Sequence, residues 1–357
     1  MPPTRGSTHP DPDALSVRER EVLQRLVVRF IETAAPVGSK ALAADFDLSS
    51  ASLRGTMSRL EKGGYLGTPH TSAGRVPTRL GYRTYVDELM DVRGLSAREA
   101  TLLRETVRRR LGDLDAVAAA SSRLLGRLSG LLGVVLTPRL STGVLERIEI
   151  VALSSTRVLF VLAVRGGRAR TVQAEVDEPL DPAHLDAVVQ RLNERLAGLT
   201  LDEVRRTGAA RVQDLAGADR TGIVRIVLDD APSLFRDPGE ERRAAVAGAQ
   251  HLVAQPEFQA PEAVREVIEI AEDQEVVLHL LDRPTLLDPT QPERAVVLIG
   301  REVAPAGGVP RYSVVTAPFR DRGGVGAVAV IGPTRMDYAR AVGLVEHVAG
   351  LLSHPSD

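Results

Sequence analysis

Apolar residues at Leu23, Leu26, Val27 and Phe30 step by three and four, which puts them on one side of a helix. Ser16-Val17-Arg18-Glu19 just ahead has the form of a capping box, in which a hydroxyl and a carboxylate satisfy free amides of the first turn. Pro36 disfavours helix at Ala35, so this helix should end near Ala34. Residues 39–46 predict a short second helix, Asp47-Leu48-Ser49 a turn, and Ser49 or Ser50 the cap of a third helix. In that third helix Leu53, Met57 and Leu60 share one face, and Gly63-Gly64 stops it. Residues 65–68 and 75–77 then read as two short strands around a loop at 69–74. Thr78 caps a further helix carrying Tyr82, Tyr85, Val86 and Leu89, and a hinge follows at Val92-Arg93-Gly94.

Ser96-Ala97-Arg98-Glu99 repeats the capping box and opens what the spacing predicts as one long helix. Its stripe is Leu103, Val107, Leu111, Leu114, Ala118, Ser121, Leu125, Leu128 and Leu132. The stripe faces a core or pairs two subunits, and the two uses are compatible. From Arg147 the period shortens to two, giving strands RIEIVALSS, RVLFVLAV and RARTVQAEV with a turn at Gly166-Gly167. A helix over 181–199, a strand over 222–228 and a helix over 261–271 follow. Strands over 276–281, 295–299, 312–316 and 325–331 come next, and a helix over 334–352 closes the chain. Strand and helix runs of this kind predict an α+β body beyond residue 95.

With 357 residues, 43% hydrophobic and 26% charged, the chain has the composition of a globular protein of two or three domains. Residues 39–83 hold seven Lys/Arg against three Asp/Glu. That local balance of +4 leaves −6 for the rest of a chain whose net charge is −2. From Lys62 to Val86 there is no carboxylate, only Lys62, Arg75, Arg79 and Arg83. A basic segment on an acidic body suits a polyanion-binding unit attached to a part that does not bind polyanions.

The absence of cysteine excludes disulfides, thiolate metal sites and a cysteine nucleophile. The start MPPTRGSTHPDPDA carries no apolar run, so no secretory signal is expected, and no stretch nears the roughly 20 apolar residues of a membrane helix. A soluble, cytoplasmic, nucleoid-associated protein without contact to membrane is the expectation. Gly323-Gly324-Val325-Gly326 leads into the strand-like AVAVI rather than a helix N-terminus, which removes the phosphate-cradling geometry. The seven histidines are scattered without metal-ligand spacing, and no G-x-S-x-G elbow occurs. No enzyme, cofactor or metal is expected. Arg335, paired with Asp337 or a neighbouring carboxylate, reads as structural.

Two helices joined by a tight turn suggest a helix-turn-helix, whose second helix fits the roughly 12 Å wide major groove of duplex DNA. Rotating the third helix away from Leu53, Met57 and Leu60 brings Ala51, Gly55, Ser58, Arg59 and Lys62 outward, with Ser52 and Arg54 on the flanks. Small or basic residues are what close approach to phosphates and base edges requires. The hairpin behind them reads as a wing. The candidate DNA contacts are Ser39, Lys40, Ser50, Ser52, Arg54, Gly55, Ser58, Arg59, Lys62, His70, Thr71 and Arg75. Of these, Ser52, Arg54, Gly55 and Ser58 are expected to face bases, and Ser39, Lys40, Arg59, Lys62 and Arg75 to hold phosphates.

PVGSK (36–40), SSASLRGTM (49–57), LEKGGYL (60–66), PHTSAGRVPT (69–78) and GYRTYVDELM (81–90) together resemble the heat-inducible transcription repressor HrcA family. QPEF (255–258), LIGRE (298–302) and IGPTRMDY (331–338) extend the resemblance over nearly the whole chain. Residues 1–14, Pro-rich and polar, read as a disordered tail, and the resemblance implies an N-terminal winged helix-turn-helix at 15–92. It implies a GAF-like α+β domain at 95–200 and 271–357, and an inserted dimerisation domain at 201–270. It also implies a homodimer that represses chaperone operons at an inverted-repeat operator, is released on heat stress, and depends on the GroEL chaperonin. One departure stands out: where the family usually has Asn and Glu after the arginine, this chain has Gly55 and Thr56, which leaves the operator sequence open. The other reading is a winged-helix regulator controlled by a small molecule in its GAF-like domain.

Overall fold

The structure is a computed structural model of the chain; it describes residues 15–46, 48–69, 74–110, 113–138, 143–165, 168–176, 182–235, 243–281, 293–303, 311–321 and 324–354. The tail expected over 1–14 lies outside the described residues. The fold is α+β.

The N-terminal unit starts with α1 (Val17–Thr33), opened by the predicted capping box. The Ser16 amide donates to Glu19 Oε2 at 3.0 Å, and the Ser16 hydroxyl accepts from the Glu19 amide. Ala34 ends the helix in a left-handed conformation, φ 53°. Helix α2 (Ser39–Leu42) runs into a 3-10 turn, and α3 (Ser50–Lys62) follows under the Ser49 cap. Strands β1 (Leu66–Gly67) and β2 (Val76–Pro77) make a two-stranded hairpin, and α4 (Arg79–Thr84) continues into a π-turn to Leu89. The apolar faces of these elements meet: Leu23, Leu26 and Val27 of α1, Leu42 of α2, Leu53 and Leu60 of α3, and Leu66 are all buried. The same cluster continues without a break into Val345 and Val348 of the last helix, so the unit is docked on the body through shared core.

The body is a five-stranded antiparallel sheet in the order β7-β3-β10-β9-β8. Its strands are β3 (Leu132–Leu136), β7 (Ala244–Ala247), β8 (Val296–Ile299), β9 (Tyr312–Asp321) and β10 (Gly324–Pro333). Alternate residues of these strands point to opposite faces, and both are covered. On one face Val315, Ala317, Val328 and Val330 pack against α6 (Leu114–Ser129) and α13 (Tyr338–Ser353). On the other, Val134, Val314 and Ala329 pack against α10 (Ala249–Val253), α11 (Pro261–Glu272) and α12 (Gln274–Leu281). Helix α5 (Ala97–Arg108) lies beside α6 and α13.

A separate unit closes its own core. Strands β4 (Leu145–Ala152), β5 (Arg157–Val164) and β6 (Arg168–Glu175) pair with one another, and α7 (Pro182–Leu196), α8 (Leu201–Val212) and α9 (Ile223–Leu234) cover one face. The inserted unit therefore spans 143–235 among the described residues, which corrects the 201–270 boundaries expected from sequence. Residues 244–281 return to the main sheet and its helical cover.

Three further expectations are corrected. The long helix over 96–132 is two helices, and Gly130 (φ 67°) ends the second so that Leu132 starts a strand. The strand over 222–228 is helix α9, started by the Asp219 carboxylate, which accepts from the Val224 amide at 2.7 Å. The strand over 276–281 is helix α12. Among the described residues no helix is long and apolar enough to cross a membrane.

Candidate nucleic-acid interface

Helix α3 puts Leu53, Met57 and Leu60 into the core, together with the fully buried Thr56. Its opposite face exposes Ala51, Arg54, Gly55, Arg59 and Lys62, with Ser52 and Ser58 half-buried at its margins. A methyl group placed on Gly55 would meet nothing within 4 Å, so that position is a flat opening in the face. Lys40 on α2 is also exposed. Lys40, Arg54 and Lys62 make no hydrogen bond or ion pair among the described residues, so their charge is unspent there.

The other basic residues of the face are already engaged. Arg59 Nε donates to Glu19 Oε1 at 2.8 Å and Nη2 to Thr56 Oγ1 at 3.4 Å, while the side chain stays 57% exposed. Glu19 sits only 16% exposed, and the Ser16 hydroxyl and then Arg59 lower its carboxyl from 4.5 to about 2. Arg18, in the first turn of α1, donates to the Ser52 hydroxyl. Residue types at the N-terminus of α1 thus hold two side chains of α3 in place.

Ser39, expected to hold a phosphate, is 9% exposed, and its hydroxyl is bonded to the Ser50 hydroxyl at 2.9 Å. The pair ties α2 to the first turn of α3, and the bond takes up one of the two hydroxyl protons. Arg75 Nε donates to Glu61 Oε2 at 2.9 Å, and Glu61 also accepts from the Thr68 hydroxyl, the larger cause of its lowered pKa. Arg75 therefore fastens the hairpin to α3 rather than standing free. Its backbone also pairs with Val37 through two 2.9 Å bonds, adding a third extended segment to the hairpin. His70 and Thr71 lie outside the described residues.

Two backbone approaches require glycine. A Cβ on Gly81 would fall 2.2 Å from the Tyr65 carbonyl, and one on Gly74 would fall 2.7 Å from the Pro36 carbonyl carbon. These contacts set the hairpin against both α4 and the segment before α2.

Sequence reasoning missed Arg18, Glu19 and Glu61. The capping box announced Glu19 as a cap, but nothing in the spacing announced a partner 40 residues away. Arg335 was expected to pair with Asp337 or a neighbouring carboxylate; its partner is Glu257, and Asp337 instead pairs with Arg93.

Fold and site together define an α+β protein in which an N-terminal helical unit with an exposed basic helix is docked on a sheet body. Residues 115–342 match the family model described as the HrcA protein C terminal domain. The heat-inducible transcription repressor HrcA of Chlorobium phaeobacteroides (strain BS1) is 38% identical over 347 residues, covering 95% of this chain and 98% of its own. That of Prosthecochloris aestuarii (strain DSM 271 / SK 413) is 39% identical over 348 residues, covering 95% and 97%. The chain belongs to the HrcA family. A crystal structure described as that of a hypothetical protein superposes with a TM-score of 0.55 at 22% identity, covering 96% of this chain and 98% of its own, which is a likeness of fold.

Proposed function

We propose that this chain is a DNA-binding transcription repressor of heat-shock genes. It acts as a dimer on an inverted-repeat operator and leaves that operator on heat stress, with its activity tuned by the GroEL chaperonin. In this reading the N-terminal unit is a winged helix-turn-helix, and the five-stranded sheet with helices on both faces is a GAF-like domain. The name carried by its close relatives supports repression and the heat response. The observation that carries the DNA reading is the outward face of α3, where Arg54 and Lys62, without a partner among the described residues, accompany the opening at Gly55.

Arg54 lies on the exposed face one turn into α3, where an arginine fork can meet the O6 and N7 acceptors of guanine. Lys62 and Lys40 lie at the edges, where phosphates pass, and Arg59 joins them once phosphate displaces Glu19. Gly55 lets the helix axis come nearer to the base edges. Two copies present two such helices to successive major grooves about 34 Å apart, or a multiple of that, which matches a palindrome. Marginal stability makes release on warming physically simple, because a domain near its threshold loses its fold within a few degrees.

Binding of the purified chain to its own upstream region, read by fluorescence anisotropy across a salt series, tests this. Lys62→Ala should weaken every duplex alike and reduce the slope of log K against log salt by about 0.9. Arg54→Ala should cost about 1–3 kcal/mol on the operator and almost nothing on scrambled DNA. Equal losses on both duplexes for Arg54→Ala would remove it from base reading.

A further inference from the structure

QPEF, LIGRE and GPTRMDY take no part in the DNA reading above, yet folding brings all of them to the side of the body that meets the N-terminal unit. Arg335, in the turn between β10 and α13, is 13% exposed and spends every nitrogen. Its Nε donates to Glu257, its Nη2 to Gln255 Oε1 at 2.9 Å and to Glu257 Oε2 at 3.2 Å, and its Nη1 to the Ile31 carbonyl at 3.1 Å. Ile31 lies in the last turn of α1, where carbonyls have no partner within the helix and a cation is favoured. That turn contains no basic residue of its own. Arg335 supplies the missing cation from the body.

Other contacts converge around it. Glu302 of the LIGRE run accepts from Arg83 and, at 3.3 Å, from Arg79 of α4. The Tyr338 ring lies 5.9 Å from that of Tyr82. The Arg93 amide donates to the Ala339 carbonyl at 3.0 Å, and a Cβ on Gly343 would fall 2.1 Å from the Arg93 carbonyl. The segment joining the two parts is laid along α13 and is not a free tether.

Helix α1 has 17 residues and so is a strut about 25 Å long. Arg335 grips its C-terminal end, and its N-terminal end holds α3 through Arg18–Ser52 and Glu19–Arg59. A tilt of about 10° at the gripped end displaces the far end by about 4 Å, more than the rise of one base pair. We propose that Arg335 is a positioning residue for DNA reading: by holding the carbonyl end of α1 it sets the direction of the α3 face, and so the half-site separation that a pair of copies accepts. This rests on the dimeric DNA-binding reading given above.

The test uses the full chain with Arg335→Ala and Arg335→Lys, on duplexes from its own upstream region carrying one half-site, or two half-sites at varied separations. The natural separation should beat one changed by two base pairs by about tenfold or more, because mismatched geometry forfeits simultaneous engagement. Arg335→Ala should keep its single half-site affinity within about twofold while that preference shrinks below about threefold. Lysine has one ammonium in place of a planar fork and cannot hold Ile31, Gln255 and Glu257 at once, so Arg335→Lys should fall between. A second readout needs no DNA: the chain has no cysteine, so spin labels on Ala51→Cys and Arg127→Cys report the distance from α3 to the body. That distribution should broaden in Arg335→Ala. Should the alanine variant fail to melt cooperatively, Arg335→Lys carries both readouts. An unchanged spacing profile with an unchanged distance distribution overturns the assignment. If the unaltered chain ignores duplex DNA, the DNA reading fails by itself, and the distance distribution alone decides for or against Arg335 as the grip on α1.

Discussion

Glu19→Gln should release Arg59 for DNA at a measurable cost in stability. The Glu19 carboxyl is lowered from 4.5 to about 2, first by the Ser16 hydroxyl and then by Arg59. At about 1.4 kcal/mol per unit, the whole set of contacts has a ceiling near 3 kcal/mol. Glutamine keeps an acceptor for the Ser16 amide, and Arg59 is 57% exposed, so the ion pair itself contributes about 1 kcal/mol at most after solvent screening. The variant should lose about 1–2 kcal/mol in all, part of it from the weakened cap. On DNA the effect reverses: with the neighbouring carboxylate gone, Arg59 adds about one phosphate contact and steepens the salt slope by about 0.9. Fluorescence anisotropy across a salt series, on operator and scrambled duplex alike, measures the gain, and thermal melting measures the loss. Arg59→Ala should shift the slope the other way. Should both variants keep the original slope, Arg59 does not lie on the phosphate track and the outward orientation argued for α3 is wrong.

Gly55→Ala meets no neighbour and removes a helix-interior glycine, so it should stabilise by about 0.5–1 kcal/mol; a lowered melting temperature would contradict the open face. Leu53→Ala empties a fully buried site between α1 and α3 and should cost about 2–5 kcal/mol in denaturant unfolding. Gly81→Ala drives a methyl group against the Tyr65 carbonyl and should destabilise strongly, whereas Gly94→Ala, with nothing within 4 Å, should not. Glu99 is held near 2 by Arg340 and then Ser96, so its folded pKa is below its unfolded one. The stability it contributes is complete above pH 4.5 and is lost as pH falls towards 2. Arg340→Gln should flatten acid unfolding across that window, and an unchanged acid limb would refute the pairing.

Local signals were legible and non-local ones were not. The boundaries of α1 and α3 follow from a capping box, a serine cap, glycines and a proline that act within a few residues, and the Leu53–Met57–Leu60 face follows from helical geometry alone. Helices α9 and α12 escaped because VRIVL and EVVLHLL are apolar on several sides, and such short runs suit a buried strand and a buried helix equally. The boundary of the inserted unit escaped because β3 and β7, more than 100 residues apart, pair with each other while β4–β6 between them do not join. At the site, exposure of Arg54 and Lys62 was readable from rotation about α3. The engagement of Arg59 with Glu19, of Ser39 with Ser50 and of Arg335 with α1 was not, since each depends on how separate elements pack.

The most direct measurement is a hydroxyl-radical footprint of the purified chain on its own upstream DNA, paired with methylation interference to locate major-groove contacts. Two protected patches, one helical turn or a multiple of it apart and flanking guanines lost as contacts in Arg54→Ala, are the predicted result. Protection that is uniform along the duplex and indifferent to Arg54 would contradict base reading by α3.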